Sequence, residues 1–527
     1  MTPQPEEQGF TGGHNPWAVA LTVTMATFME VLDTSIANVS LPHIAGSLSV
    51  SQDESTWVLT SYLVSNAIIL PTSGWFATRF GRKRFYMTCV ALFTVSSFLC
   101  GVAPNLGLLI FFRVLQGLGG GGLGPSEQAI LADTFPPRKR GMAFAVYGMA
   151  VVMAPAIGPT LGGYITDHFN WRWVFFINIP VGILSLLLSN RMVVDPPHLV
   201  EARKRVGPID YVGLGLVAAG LGSLEYVLDK GEEADWFASR AIVAFAIFSA
   251  VALVTFVVWE WRHEHPIVEV RLFRSRSFAS ANVMLLVLGA TLYGSTVLLP
   301  QYLQVWMGYS AKDAGLALSP GGLVVLLLLP LVGRLVSRYD PRFLIAFGFS
   351  ALSLSLFHIS HTLYPGIDFS TAVSLRIFQS IGFAFLFVPL NTLVYSDVPP
   401  GKNNAVSGIV NLSRNMGGDI GISTVTALIA NRSQIHQSIL VSHLDPGNQI
   451  LRTRLAALTQ LLVHAGSTSA DAARQAYGII YRQIVQQAQT LAYLDAFYLL
   501  AWLCAVMVPV VWIAHRIRRG QAAPVAH

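Results

Sequence analysis

Charge is scarce in this chain. Only 12% of its 527 residues are Asp, Glu, Lys or Arg, whereas soluble domains carry about 25%. A string of water-soluble domains is excluded, and the solvent for most of the chain is lipid. Cysteine is scarcer still. Cys89, Cys100 and Cys504 all fall inside apolar runs, an odd and scattered set that supports neither a disulfide framework nor a metal site with ligand spacing. The first fifteen residues contain Glu6, Glu7, two prolines and three glycines and lack the basic segment and cleavage site of a signal peptide. The N-terminus is therefore expected to stay in the cytoplasm and the first apolar run to persist in the mature protein. No Gly-Lys-Ser/Thr phosphate loop follows any glycine cluster, so ATP drive has no support. No nucleophile, base and orienting residue occur together, which leaves an enzyme without a site and implies no cofactor and no metal.

What the chain has instead is apolar length. Hydrophobic residues make up 53% of it, and a bilayer core takes about 20 of them per helix. Fourteen runs qualify, at 17–38, 56–77, 85–103, 107–131, 142–165, 172–192, 210–228, 240–260, 279–301, 314–336, 343–361, 370–394, 404–430 and 495–515. The fold class is an all-α polytopic membrane protein.

Lys and Arg give the orientation, because basic residues stay on the cytoplasmic side of short loops. With the N-terminus inside, the inner loops hold Arg79, Arg82, Lys83 and Arg84, then Arg138, Lys139 and Arg140, then Arg191, Arg203, Lys204 and Arg205. Later inner segments add Arg262, Arg271, Arg274, Arg276, Arg334, Arg338, Arg342, Lys402, Arg516, Arg518 and Arg519. The short outer loops hold only Arg172, Lys230, Arg240 and Lys312. An odd number of spans breaks this alternation. The formal net charge of +6 thus reflects topology, and no nucleic-acid partner is implied.

The chain also repeats itself. Arg113, Gln116 and Gly119 in span 4 recur as Arg376, Gln379 and Gly382 in span 12, and Pro136, Pro137 and Lys139 recur as Pro399, Pro400 and Lys402, all at one offset. Gly158 and Gly421 obey the same offset. A weaker echo relates Gly74 and Arg79 to Gly333 and Arg338. Two parallel six-helix halves with two inserted helices follow, a 6+2+6 arrangement in which substrate is handled near the midplane between halves. The divisions are a cytoplasmic tail (1–16), an N-terminal half (17–192), the inserted helices with their linkers (193–278), a C-terminal half (279–515) and a cytoplasmic tail (516–527). Within the C-terminal half, 431–494 is polar yet alternates at helical spacing over Tyr477 to Phe497. It is expected to project from the outer face as extensions of spans 13 and 14.

Here the residues resemble a known family. LDTSIANVSLP (Leu32 to Pro42), GWFATRFGRKR (Gly74 to Arg84), RVLQGLGGGG (Arg113 to Gly122) and APAIGPTLGG (Ala154 to Gly163) look like the signatures of major facilitator drug:proton antiporters. WRWVFFINIPVG (Trp171 to Gly182) resembles the fourteen-span EmrB/QacA branch, and LDKGEEADWF (Leu228 to Phe237) resembles its EmrB members. The resemblance runs from about residue 15 to 515. It implies a fourteen-helix major facilitator fold that exports lipophilic or amphipathic compounds against protons by alternating access, powered by a proton gradient alone. The pathway would be lined by spans 1, 2, 4, 5, 9, 10, 12 and 13. It also implies a bacterial inner membrane with both termini cytoplasmic, and a periplasmic adaptor and outer-membrane channel as partners, with 431–494 as a docking surface.

Several residues are candidates for that work. Asp33 and Arg113 lie at similar depth at 1.5 Å rise per residue, and intramembrane charges are functional candidates because they are costly unless paired or hydrated. In the family, the corresponding acidic residue and arginine are linked to proton coupling and substrate handling. The competing reading is a structural ion pair that locks the N-terminal half. Asp419 is a second carrier candidate at a place where EmrB has a small hydroxyl residue, and five residues is poor spacing for a pair with Arg414. Glu30 and Glu127 complete the set of intramembrane carboxylates, while Glu225 is close enough to the outer surface to be expected to snorkel. Gly74, Arg79, Gly81 and Arg82 form the inner gating loop, in which Thr78 replaces the family's aspartate. Gln116, Gly117, Arg376 and Gln379 mark the repeat. Pro155, Gly158, Pro159, Gly162 and Gly163 form the span 5 motif, which in the family marks exporters. Gly117, Gly119 and Gly122 match a dinucleotide fingerprint in spacing only, since no strand precedes them. His358 and His361 read as interfacial. Two alternatives stay open: a dedicated exporter of one metabolite, such as a siderophore or aromatic acid, and a non-transporting membrane scaffold.

Overall fold

Helices occupy all of the apolar runs. The computed structural model describes residues 12–398, 402–444 and 447–515. Residues 1–11, Pro399, Pro400 and the tail arginines Arg516, Arg518 and Arg519 lie outside the described residues. All regular structure among the described residues is helical. Spans 1 to 6 are Pro16–Leu48, Trp57–Phe80, Arg82–Val102, Leu106–Thr134, Pro137–His168 and Trp173–Met192. Spans 7 and 8 are Tyr211–Lys230 and Arg240–Arg262. Spans 9 to 14 are Arg276–Gln301, Ala311–Arg338, Pro341–Thr362, Phe369–Val394, Asn403–Ser442 and Ser469–Val510.

Eleven of these are long and apolar enough to cross a membrane, and span 5, bent by 42° between Pro155 and Ile157, makes a twelfth. The bend falls where Pro155 removes a backbone donor. Spans 2 and 13 are more polar because they face protein. Span 2 buries Thr60, Ser61, Ser65 and Asn66, and span 13 buries Asn404, Ser407, Asn411 and Arg414. Side-chain caps start many spans: Asn15, Ser275, Asp340 and Asp368 each accept a hydrogen bond from a backbone amide of the first turn.

The two halves meet chiefly along span 2 with span 13 and span 5 with span 10, with the inner part of span 4 against span 13 and span 5 against span 12 adding to the contact. At the end carrying Arg82 to Arg84 and Arg338, here the basic end, the approach is close. A Cβ on Gly74 would stand 2.7 Å from Ala405 Cα and 2.8 Å from the Asn404 carbonyl oxygen. Gly141 and Gly333 face each other in the same way, each within 3.2 Å of the other's carbonyl oxygen once a Cβ is added. Charged and polar groups then bolt the contact. Arg82 Nη2 pairs with Asp133 at 2.7 Å, Arg82 Nε donates to Asn404 Oδ1 at 2.6 Å, and Asn403 Nδ2 donates to Asp133 Oδ1 at 2.6 Å. Thr78 joins by accepting from Asn404 Nδ2 at 3.3 Å. Arg79 is exposed at the last turn of span 2, and Gly81 (φ +94°) makes the left-handed turn into span 3.

Span 7 packs against spans 2, 8 and 13 and so lies beside the seam between halves. Span 8, outermost, exposes Ile247, Val251 and Val254, a lipid-facing surface. At the opposite end from the basic loops, here the far end, spans 13 and 14 run on as helices. At 1.5 Å per residue the 42 residues of Ser469–Val510 are far longer than a bilayer core requires. A further helix, Gln449–His464, packs on span 14. His436 Nε2 lies 2.9 Å from Asp495 Oδ2, and Gln437 donates to the Tyr481 hydroxyl at 3.1 Å, so the projecting helices are tied together.

Closure at the basic end depends on the absence of a side chain at residue 74. Gly74→Leu is expected to hold this end open. In a background with Cys89, Cys100 and Cys504 replaced, a cysteine at the buried Ser407 should then react faster with a water-soluble thiol reagent. Unchanged reactivity would remove the Gly74 contact from the account of closure.

Candidate functional site

Asp33 and Arg113 meet in the interior of the N-terminal half, both fully buried. Arg113 Nη1 donates to Asp33 Oδ2 at 2.6 Å and to Gln116 Oε1 at 2.9 Å, and its Nε donates to the Val58 carbonyl oxygen at 2.9 Å. The guanidinium lies over the Tyr62 ring, 4.4 Å from its centroid. The carboxylate is satisfied from further sides. Gln116 Nε2 donates to Asp33 Oδ1 at 3.1 Å, and Asn178 Nδ2 donates to the same oxygen at 2.6 Å. Asn178 was not singled out in the sequence. The sequence showed only an amide inside an apolar span, and the helix break at Ile177 that accompanies its turn toward Asp33 is seen in the structure alone. A buried ion pair offsets its desolvation only when its remaining lone pairs and protons find partners, and spans 2, 4 and 6 supply them for the carboxylate and for Arg113 Nε and Nη1, while Arg113 Nη2 has no hydrogen-bond partner among the described residues.

The repeat is echoed in geometry but not in charge. Arg376 Nη1 donates to Gln379 Oε1 at 2.6 Å, as Arg113 does to Gln116. Where Arg113 finds a carboxylate, Arg376 finds a hydroxyl: its Nη2 donates to Thr296 Oγ1 at 3.3 Å. Thr296 stands at the same offset from Asp33 as Arg376 does from Arg113.

Glu30, one turn before Asp33, faces a different neighbourhood. It is only half-buried and accepts from Asn66 Nδ2 at 3.1 Å and the Tyr62 hydroxyl at 3.3 Å. Across the seam, Arg414 of span 13 lies close enough for its charge to act on both Glu30 and Glu127. Glu127 is fully buried and accepts from the Thr24 hydroxyl. Arg414 Nη2 donates to Asn411 Oδ1 at 2.7 Å, which also accepts from the Tyr147 hydroxyl at 3.0 Å, while Asn411 Nδ2 donates to Gln128 Oε1 at 3.0 Å. Tyr147 and Gln128 belong to the N-terminal half and Asn411 and Arg414 to the C-terminal half, so this network spans the seam. Asn411, Tyr147 and Gln128 carried no motif and were missed. What places them is the register between span 13 and spans 4 and 5.

Asp419 makes no ion pair with Arg414 among the described residues. Its carboxyl lies in hydrogen-bond contact with that of Glu225, from the inserted span 7. The expectation that Glu225 snorkels to the surface is corrected: it is 2% exposed, because span 7 turns this face toward spans 2 and 13 rather than toward lipid or water.

The span 5 motif packs on span 1. A Cβ on Gly158 would come within 2.2 Å of Ser35 Oγ, and one on Gly162 within 3.1 Å of Ile36, while Gly163 faces open space. Pro155 and Pro159 both lie inside the helix. Gly117 sits 2.4 Å from the Tyr62 carbonyl oxygen by the same measure, while Gly119 and Gly122 meet Cys89, Phe93 and Phe85, so the span 4 glycines serve helix packing against spans 2 and 3.

The arrangement is two helical halves, each with an Arg–Gln pair in its fourth helix, enclosing carboxylates and a cation between them. The Major Facilitator Superfamily profile matches residues 23–422. The chain belongs to the major facilitator superfamily. It is a multi-pass membrane transporter and not an enzyme. It is 37% identical over 496 residues to the multidrug export protein EmrB of Escherichia coli (strain K12), covering 94% of each chain. It is 38% identical over 497 residues to the fatty acid resistance protein FarB of Neisseria gonorrhoeae, covering 94% of this chain and 95% of that one. Among solved structures it superposes on the proton:xylose symporter XylE with a TM-score of 0.61 at 14% identity, covering 95% and 96% of the two chains. The EmrB resemblance read from the motifs is borne out, as is the all-helical major facilitator fold.

Removing one member of the Asp33–Arg113 pair strands the other in a buried site, a change that costs roughly 3–5 kcal/mol. Arg113→Met is expected to lower the thermal stability of the detergent-purified protein, and adding Asp33→Asn should recover most of the loss. A double variant as unstable as Arg113→Met alone would show that the carboxylate charge is not what Arg113 neutralises.

Proposed function

We propose that this transporter exports lipophilic or amphipathic compounds across a bacterial inner membrane in exchange for protons, with both termini cytoplasmic. The orientation is supported by the concentration of Lys and Arg at one end of the helices. On this reading the basic end is cytoplasmic and closed. The substrate class is supported by the relatives, one named for multidrug export and one for fatty acid resistance. Fatty acids are amphipathic molecules that partition into lipid.

The observation that carries proton exchange is Glu30. It is an intramembrane carboxylate left partly open between the halves, held by neutral donors from its own half and facing the cation of the other half. A carboxylate in that setting binds a proton when Arg414 withdraws and releases it when Arg414 approaches, since a nearby positive charge favours the ionised form. Motion of one half against the other therefore changes its proton affinity, and by linkage protonation biases the motion. A cationic or polar group on a substrate competes for the same carboxylate. Asp33, with three donors and no exposed surface, acts in this scheme by positioning span 1 against span 4, so that Glu30 stays at the seam. Glu127 extends the carboxylate path toward the basic end. No cofactor is needed, because the proton gradient supplies the drive.

The projecting helices at the far end fit a periplasmic adaptor that leads to an outer-membrane channel. They extend beyond the membrane and present Ile450, Leu461, Tyr477 and Tyr481, all exposed.

Reconstituted into proteoliposomes, the wild type is expected to move a fluorescent lipophilic cation against its gradient when a proton gradient is imposed. Glu30→Gln should abolish that gradient-driven movement. Transport that ignores the proton gradient in the wild type would overturn antiport, and a fully coupled Glu30→Gln would remove Glu30 as the carrier.

A further inference from the structure

The inserted spans 7 and 8 have no counterpart in either half, and nothing in the scheme above uses them. Span 7 nevertheless carries a carboxylate that is not placed for lipid. Glu225 is 98% buried by its 2% exposure, and its Oε2 is enclosed without any donor. The group it meets is the carboxyl of Asp419, from span 13, within hydrogen-bond contact. Two carboxylate oxygens both accept and neither donates, so this contact holds only with a proton between them.

Among the described residues no cation pairs with either carboxyl. On span 7, Asp229 adds a third acid one turn further on and accepts from the Thr60 hydroxyl of span 2. Lys230, itself buried, is engaged elsewhere, donating to Glu233 at 2.7 Å and to Thr56, and its charge reaches Asp229 rather than the pair. Span 9 contributes Tyr293, which is close enough to feel the charges of both Asp419 and Arg414 and bonds to Arg414. Arg414 itself, on span 13, is engaged with Asn411 and Tyr147 below. Span 8 carries its charged residues Arg240, Glu260 and Arg262 only at its ends, and among the charged residues of span 2 only Arg79 occurs, at the basic end.

The mechanical setting matters as much. Span 7 is tied to the N-terminal half through Thr60–Asp229 and the stacking of Trp57 on Tyr226, and to span 13 through Ser423, whose hydroxyl donates to the Leu228 carbonyl oxygen at 2.8 Å. The carboxyl pair therefore straddles the seam, and relative motion of the halves pulls it apart.

We propose that Glu225 and Asp419 together bind one proton across the seam, which makes the inserted span 7 part of the coupling machinery rather than a filler. The proposal rests on the proton-exchange reading above and adds a second site to it. With the pair closed, two carboxyls share one proton and carry a net charge of −1. On separation the proton passes to water and the pair carries −2, with no co-reactant required.

The test is infrared difference spectroscopy of the purified protein during a pH titration, combined with dye efflux from proteoliposomes. The carbonyl stretch of a protonated carboxylic acid should disappear as pH rises in the wild type. The same titrating band should be lost in Glu225→Gln and in Asp419→Asn, and kept in the swapped double variant Glu225→Asp with Asp419→Glu. Gradient-driven efflux of the lipophilic cation should fall at least about tenfold in each single variant and recover in the swap. A band unchanged in either single variant overturns the shared proton. Efflux that stays fully coupled in both overturns its role. If the wild type shows no proton-driven efflux, antiport itself fails, and the infrared titration still decides whether the pair binds a proton.

Discussion

In the export cycle proposed above the two halves close at one end and part again, which a broad, permanent apolar face would prevent, and in lipid such a face would bring little drive for association in any case. The seam is built from what remains: backbone-close contacts at glycines and polar groups that satisfy one another. Gly74 against Ala405 and Gly141 against Gly333 bring main chains together, and Arg82, Asp133, Asn403 and Asn404 hold them there. Each of these contacts is strong only at short range. Separation by a few ångströms loses nearly all of them at once, which gives two discrete arrangements rather than a continuum of partly open ones.

This explains why spans 2 and 13 look less like membrane helices than their neighbours. Their polar side chains are placed where the other half covers them. Serine, asparagine and arginine inside a span are read by composition as a defect, yet here they are the seam. The same rule sorts the carboxylates. Asp33, sealed within one half by Arg113, Gln116 and Asn178, does not change partners when the halves move. Glu30, Glu127 and Asp419 look across the seam or along it, where separation of the halves would change their partners.

Much of the fold was legible in the sequence because it depends on local quantities: apolar length, the distribution of Lys and Arg, and a repeat at constant offset. The meeting of Asp33 with Arg113 was also within reach, since both lie at the same depth in helices of one half. The rest depended on helix rotation and on which non-sequential helices touch. Nothing in span 6 announced that Asn178 would face Asp33, and nothing in span 7 announced that Glu225 would turn inward. An intramembrane glutamate near a helix end can reach water or reach a neighbour, and only the packing of span 7 on spans 2 and 13 decides between them. The span 431–494, read as helical from its periodicity, has little apolar surface to bury. Its ordering comes from continuing two helices that the membrane already holds.

The departure of the two halves from symmetry is the more informative result. The offset that maps Arg113 onto Arg376 also maps Asp33 onto Thr296 and Glu30 onto Tyr293. Both acids at the outer part of span 1 are thus replaced by neutral hydroxyl groups in span 9, while the C-terminal half gains Arg414, where the offset in the N-terminal half gives Val151. At this level of the seam Glu30 stands on one side and the fixed cation Arg414 on the other, while Asp419, on the side of Arg414, meets Glu225 instead. A pair of identical halves would present like charges across the midplane and would open without any reason to close. Opposite charges attract in the closed arrangement, and a proton or a cation bound at the acidic face weakens that attraction. The divergence of the repeat therefore gives the seam a charge state that binding can change, which a symmetric pair of halves would lack.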